Sequence, residues 1–224
     1  MKLLALDTAT EACTVALSID GQVLERFERR SQHSEHLLPM IDALLAEAQL
    51  ALGQLDAIAF GRGPGSFTGL RIGAGVAQGL AFGADLPVVP VSSLATLAQG
   101  QAGDRVLAAF DARMQQVYWS AYRRSGDRLM ELEGAEQVLA PAAVPRPEGD
   151  GWVGAGSGWD AYAGPLKEQL GSCLARWIPA QLPHARDMIP LAAHALRAGR
   201  ALSAEQALPL YIRDDVAAKA KVRG

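Results

Sequence analysis

Apolar and polar residues alternate over the first thirty positions in a way that predicts three strands: Leu3 to Leu6, Cys13 to Ile19 and Gln22 to Arg29. Asp20 and Gly21 supply the turn between the last two, so the chain opens as an antiparallel meander. From Ser34 the apolar spacing becomes helical, with Leu37, Ile41, Leu44, Leu45 and Ala48 on one face, Ser34 as the cap and Gly53 beyond the end. Pro39 falls just past the first turn, early enough to be tolerated. A short buried strand, Ala57 to Phe60, leads through the glycine-rich loop Gly61 to Ser66 into a second helix running from about Thr68 to Phe82. A strand at Val88 to Val91 ends this first pattern.

The pattern then starts again. Val106 to Phe110 followed by Asp111, the alternating run Val117 to Tyr122, the turn at Arg124 to Asp127 and Leu129 to Leu132 repeat the opening meander, and a shift of 104 positions lays Asp7 on Asp111. Beyond it the proline-rich stretch from Ala140 to Gly151 reads as a loop, Trp152 to Ala155 as a strand and Asp187 to Arg197 as a helix. A duplicated unit of three meander strands, with helices crossing to further strands, predicts an α/β fold of the actin-like (ASKHA, ribonuclease H-like) architecture. It divides the chain into lobes at residues 1–100 and 101–224, the second reduced.

Bulk properties narrow the function. The 224 residues are half apolar and carry a net charge of -3 from 21 basic and 24 acidic side chains, which disfavours a protein that grips nucleic acid unaided. Only the tail, with Arg213, Lys219, Lys221 and Arg223, is locally basic; Asp214 and Asp215 interrupt it, and it reads as a solvated terminus. Asp7 breaks the N-terminal apolar run too early for a secretion signal. The apolar region from Ile72 to Val91 contains Gln78, Asp85, two prolines and four glycines, so it reads as a soluble helix and strand rather than a membrane span. Cys13 and Cys173 have neither metal-site nor disulfide spacing, and reduced thiols in a cytoplasmic protein are expected.

Four stretches invite chemistry. Asp7, Thr8 and Thr10 occupy the hairpin that cradles phosphate in the actin-like fold, but the segment from Asp7 to Ala12 has no glycine and includes Glu11. The stretch from Gly61 to Gly69 resembles a nucleotide loop yet lacks the lysine of a P-loop and the glycine that a dinucleotide fingerprint needs where Ser66 stands. His33 and His36 bracket a helix start without a third ligand at metal-site spacing, so no metal site is expected. The second helix is the most informative, because a glycine inside a helix costs about 1 kcal/mol relative to alanine. At 100° per residue, Gly69, Gly73, Gly75, Gly79 and Gly83 share an arc with Ile72, Val76 and Leu80, while Leu70, Ala74, Ala77 and Ala81 lie opposite. One face covers the chain's own sheet; the other admits a second helix closely. The first helix, with Met40 extending its apolar arc, either fills that space or joins it in a partner surface.

Five strings in this order, Leu4-Ala5-Leu6-Asp7-Thr8-Ala9-Thr10, His33-Ser34-Glu35-His36-Leu37-Leu38-Pro39, the stretch from Gly61 to Gly73, Phe110-Asp111-Ala112-Arg113 and Tyr211-Ile212-Arg213, resemble the TsaB family, also called YeaZ. The resemblance covers nearly the whole chain. It implies two actin-like lobes and a cytoplasmic role in forming threonylcarbamoyladenosine at position 37 of tRNAs that read codons beginning with A. It further implies that catalysis belongs to the paralogue TsaD, that TsaE joins the assembly, and that tRNA is met indirectly. ATP or ADP and metal are then expected on partner subunits, with no cofactor and no catalytic residue on this chain. The family's dimerisation surface is formed by the two N-lobe helices. The resemblance thus implies an interface of Leu37, Met40, Ile41, Leu44, Ile72, Gly73, Gly75, Val76, Gly79 and Leu80. A rival is a self-associating protein, since the apolar helix pair, lacking TsaD, can pair isologously as a homodimer. The rival reading from the residues alone is a small-molecule kinase or ATPase that places Asp7 and Asp111 around a metal-bound nucleotide.

Overall fold

A computed structural model of the chain describes residues 1–29 and 32–213. The first unit runs β1 (Lys2–Asp7), β2 (Ala12–Ile19), β3 (Gln22–Arg29), α1 (His33–Glu47), β4 (Ala57–Gly63), α2 (Phe67–Ala84), β5 (Val88–Ser92) and α3 (Ser93–Gln99). The second runs β6 (Arg105–Asp111), β7 (Val117–Arg124), β8 (Met130–Leu139), β9 (Trp152–Ala155), α4 (Ser157–Leu170), β10 (Leu174–Ile178) and α5 (Ala185–Arg197). Where the first unit has α1, the second has a single 3-10 turn, Pro141–Ala143.

The two sheets have the same topology. One is ordered β3-β2-β1-β4-β5 and the other β8-β7-β6-β9-β10, each with an antiparallel meander joined by its first strand to two parallel strands. The repeat predicted from the sequence is therefore a structural duplication. The reduction of the second lobe lies in its helices and not in its strands.

Alternation along each strand sends side chains to opposite faces. Leu4, Leu6, Val15, Leu17, Ile58 and Phe60 meet α1 and α2 on one face of the first sheet. Leu3, Ala5, Ala16, Ala57, Ala59 and Val89 meet Ala185, Met188, Ile189 and Ala192 of α5 on the other. In the second sheet, Leu107, Trp119 and Trp152 pack with Trp159 and Leu166 of α4, and Val106, Ala108 and Phe110 pack with Leu94 and Leu97 of α3. Each lobe thus lends its last helix to the other. This corrects the division at residue 100: α5 belongs by packing to the first sheet, where Ala204 and Ala207 also join the core and Leu202 bridges to Val88.

Local expectations fare unevenly. The β2–β3 turn uses Asp20 and Gly21, both with positive φ, and α2 is capped by Ser66, whose hydroxyl accepts from the Gly69 N–H at 3.4 Å. Ser34 is not the cap of α1; the helix begins one residue earlier behind Gln32, and Ser34 lies exposed in its first turn. Three elements had no sequence reading. α3 is only seven residues long, α4 is interrupted by non-helical backbone at Tyr162 and by Pro165, and β10 alternates weakly. Lys219, Lys221, Arg223, Asp214 and Asp215 of the basic tail lie outside the described residues.

The glycines of α2 divide into two kinds. A Cβ on Gly73 would stand 2.5 Å from Thr8 Oγ1, whereas a Cβ on Gly75, Gly79 or Gly83 would meet nothing within 4 Å. Gly73→Ala is therefore expected to lower the unfolding free energy by about 1–3 kcal/mol through overpacking. Gly79→Ala is expected to raise it by up to about 1 kcal/mol through helix propensity. Urea denaturation of the isolated chain measures both, and a destabilised Gly79→Ala would show that this position is packed after all.

Candidate functional site

The end of β1 is engaged inside the fold. Asp7 is 1 % exposed; its Oδ1 accepts from the Ala9 N–H at 2.7 Å and its Oδ2 from the Ser93 hydroxyl at 2.7 Å. Gly61 makes room for it, since a Cβ there would stand 2.2 Å from Asp7 Oδ2. Burial pushes the Asp7 carboxyl up from 3.8 to about 6, although the bonds from Ser93 and Ala9 favour its charged form. Thr8 donates through Oγ1 to the Gly69 carbonyl at 2.8 Å, and the Thr10 carbonyl meets His33 Nε2 at 2.8 Å. His33 is thus tied to the β1–β2 hairpin, while His36 lies 3.5 Å from Glu28. Among the described residues, no group of three or more His, Cys, Asp or Glu side chains could hold a metal ion.

Between the lobes lies a cleft of about 750 Å³, walled by Thr10, Ser66 and Phe67 on one side and Asp111, Tyr118 and Ser157 on the other. Asp7 and Thr8 are not part of its wall. The sequence-predicted trio is therefore split: Thr10 reaches the cleft, and the other two are held by the fold. Asp7 and Asp111, the carboxylates of the kinase-like reading, do not converge on one cavity, although they are equivalent in the duplication. Asp111 repeats the Asp7 turn, its Oδ1 accepting from the N–H two residues on, that of Arg113, at 2.8 Å. The β6–β7 turn that follows holds Arg113, Met114 and Gln115 at φ 61, 52 and 58°. Three successive left-handed non-glycine residues cost about 1–2 kcal/mol each.

The glycine-rich stretch joins the lobes. Arg62 Nη2 donates to Glu136 Oε2 at 3.0 Å, and the Tyr122 hydroxyl donates to Glu136 Oε1 at 2.9 Å while lying 3.3 Å from Ser92 Oγ. Arg62 and Ser92 come from the first sheet, Tyr122 and Glu136 from the second. Burial, reinforced by the neighbouring Glu136 charge, pushes the Tyr122 phenol above its usual range, so it stays a neutral donor. None of this was legible in the sequence, where Arg62 and Glu136 are 74 positions apart.

The helix surface differs from the predicted interface. Leu37, Ile41 and Leu44 are at most 1 % exposed and Met40 is 6 % exposed, all in the core under α1. Gly73 is buried against Thr8. These five cannot line a free surface, because the first sheet already covers them. Ile72, Val76 and Leu80 are half-buried at the core edge, and Gly75 and Gly79 are exposed and open. Phe82, 71 % exposed, and Leu38, 44 % exposed, add apolar area that the helical-wheel argument passed over.

The chain is similar to "tRNA threonylcarbamoyladenosine biosynthesis protein TsaB" of Escherichia coli, 44 % identical over 98 % of this chain and 97 % of that protein. The protein of that name from Haemophilus influenzae is also 44 % identical, covering 96 % and 95 %. The solved structure of YeaZ from Pseudomonas aeruginosa superposes with a TM-score of 0.87 at 48 % identity, covering 94 % of this chain and 99 % of that one. The chain belongs to the TsaB (YeaZ) family. A broader family model, TsaD: tRNA N6-adenosine threonylcarbamoyltransferase, matches residues 28–221. The TsaB-family strings quoted from the sequence now have physical roles: Asp7 ties the end of β1 to Ser93 of α3, Thr8 ties the hairpin to α2 at Gly69, and Arg62 bridges the lobes. No helix among the described residues is long and apolar enough to cross a membrane.

The Asp7 carboxyl gives this arrangement a pH signature. Its folded pKa lies above the unfolded one, so between about 4 and 6 the folded state holds more protons and stability falls as pH rises. Over that interval the loss of stability is on the order of 3 kcal/mol. Asp7→Asn, whose amide can accept from Ala9 and donate to Ser93, should flatten the curve and be the more stable form at pH 7. Chemical denaturation at a series of pH values measures the slope; equal slopes in both proteins would mean that Asp7 is not the titrating group.

Proposed function

We propose that the protein is the non-catalytic partner of a TsaD subunit in tRNA threonylcarbamoyladenosine biosynthesis. It binds TsaD one to one along the outward face of α2, flanked by α1, and holds it competent to receive TsaE and tRNA. Threonylcarbamoyl transfer to N6 of adenosine 37, in tRNAs reading codons that begin with A, takes place on TsaD. ATP or ADP and metal belong to the partner subunits, and this chain carries no cofactor. Without TsaD, the same face pairs with a second copy. The cytoplasm is the compartment that such a tRNA reaction requires.

The observation that carries the interface is the pair of open helix glycines, Gly75 and Gly79, beside exposed Phe82. Nothing in the chain's own packing requires glycine at either place, and each lowers helix stability. A close helix–helix approach from another subunit supplies the missing reason. The kinase-like alternative has less support, because Asp7 is hydrogen-bonded inside the fold and lies off the cleft wall.

Size-exclusion chromatography with light scattering, on this chain mixed with its organism's TsaD, tests the reading. A one-to-one complex is expected. Gly79→Leu, at a position where an added Cβ meets nothing within 4 Å in the free chain, should weaken the complex roughly 10- to 100-fold by overpacking the contact. An unchanged affinity would move the interface off this face, and failure of TsaD to associate at all would remove the partnership.

A further inference from the structure

We infer that the segment 208–213 is a strap that ties the two lobes together across the interlobe cleft. Its first anchor lies on the first lobe. The Leu210 N–H donates to the Arg62 carbonyl at 2.8 Å, and the Tyr211 hydroxyl accepts from Arg71 Nε of α2 at 3.1 Å. The Tyr211 ring packs on Phe67 with centroids 5.3 Å apart, and the Arg71 guanidinium lies over the same Phe67 ring at 3.8 Å. The second anchor lies on the second lobe, where Arg213 donates to Gln116 Oε1 and comes within 3.6 Å of Met114 Sδ. Between the anchors, Leu210, Tyr211, Ile212 and Arg213 form part of the cleft wall.

Two features mark the strap as a tie and not as core. Leu208, Leu210 and Tyr211 are 66, 43 and 41 % exposed, so the segment can leave without opening either hydrophobic core. The receiving turn is also special. The duplicated hairpins following β1 and β6 share the aspartate turn, yet only the β6–β7 hairpin, the one that meets Arg213, holds three left-handed residues. Gln116 is oriented there by its N–H, which donates to the Arg113 carbonyl at 3.0 Å. The lobes also meet through Arg62 and Glu136, through Ser92 and Tyr122 and through the exchanged helices, so the strap is a further restraint that limits how far the cleft opens.

The strap also borders the outward face of α2, where Leu208, Pro209 and Tyr211 share a groove with Arg71, Gly75 and Gln78. Whatever docks at Gly75 therefore meets the strap. The tie itself is a property of the chain alone and does not rest on the TsaD partnership.

The test is pulsed electron paramagnetic resonance on the full chain with spin labels at Ala46→Cys on α1 and Glu168→Cys on α4. Both positions are exposed, and the native Cys13 and Cys173 are buried. The interlobe distance distribution is expected to broaden and shift to longer values in the double variant Tyr211→Ala/Arg213→Ala. Gln116→Ala, which removes the second anchor from the opposite side, should move it the same way. Hydrogen exchange at the Leu210 amide should speed up in the double variant. Circular dichroism and thermal melting confirm that each protein is folded. An unchanged distance distribution in both folded variants would overturn the tie.

Discussion

A twisted sheet with two apolar faces must be covered on both, and each half of this chain sends one of its helices to cover the other half's sheet. The first sheet is covered outside by α1 and α2, the second by α4. The inner faces are closed by exchange, α5 onto the first sheet and α3 onto the second. Burying a side chain such as Met188 or Leu97 is worth about 1.5–3 kcal/mol, and the contacts of Met188 with the first sheet and of Leu97 with the second join one lobe's sheet to the other lobe's helix. The exchange packs the two duplicated units against each other, and it fixes which helices remain free to face outward. With α3 and α5 taken up by the inner faces, the outer helix α2 keeps an uncovered apolar face.

The polar residues at the lobe junction follow from the same arrangement. With the sheets held side by side, Arg62 at the end of β4 falls opposite Glu136 on β8, and Tyr122 completes the carboxylate's second oxygen. Asp7 is sealed at the base of α3 by Ser93, the first residue of that exchanged helix. A carboxylate in that position cannot also organise a ligand in the cleft. The fold retains the two aspartate turns of the duplicated hairpins, but of the two aspartates only Asp111 lines the cleft. The outward face of α2 is the surface left with a feature that the chain's own packing does not explain.

Several residues read correctly from the sequence acquired a different meaning in three dimensions. The helical wheel of α2 placed all of its interior glycines on one arc, and they do share it. The sheet, however, sits obliquely under that arc, so Gly69 and Gly73 face Thr8 while Gly75 and Gly79 face outward. On α1 the apolar arc identified a buried face, and tertiary packing assigned it to the core. Arg213 was part of a basic terminus in the sequence; its neighbours in space are Gln116 and Met114, nearly a hundred positions away.

By itself the sequence determined the strands and long helices of the first half, the duplication and the aspartate that follows the first strand of each meander. These are written in period-two and period-3.6 patterns and in turn residues, which act over a few positions. The string of family motifs likewise needed no coordinates. Only the tertiary structure decided which apolar face each helix buries, because periodicity gives a stripe but not what covers it. It alone decided the helix exchange, the Arg62–Glu136 bridge and the strap from Tyr211 to Arg213, since these are contacts between distant segments whose partners are fixed by packing. Short or interrupted elements such as α3 and α4 were decided there too, because burial against a sheet stabilises helices that local propensity does not specify.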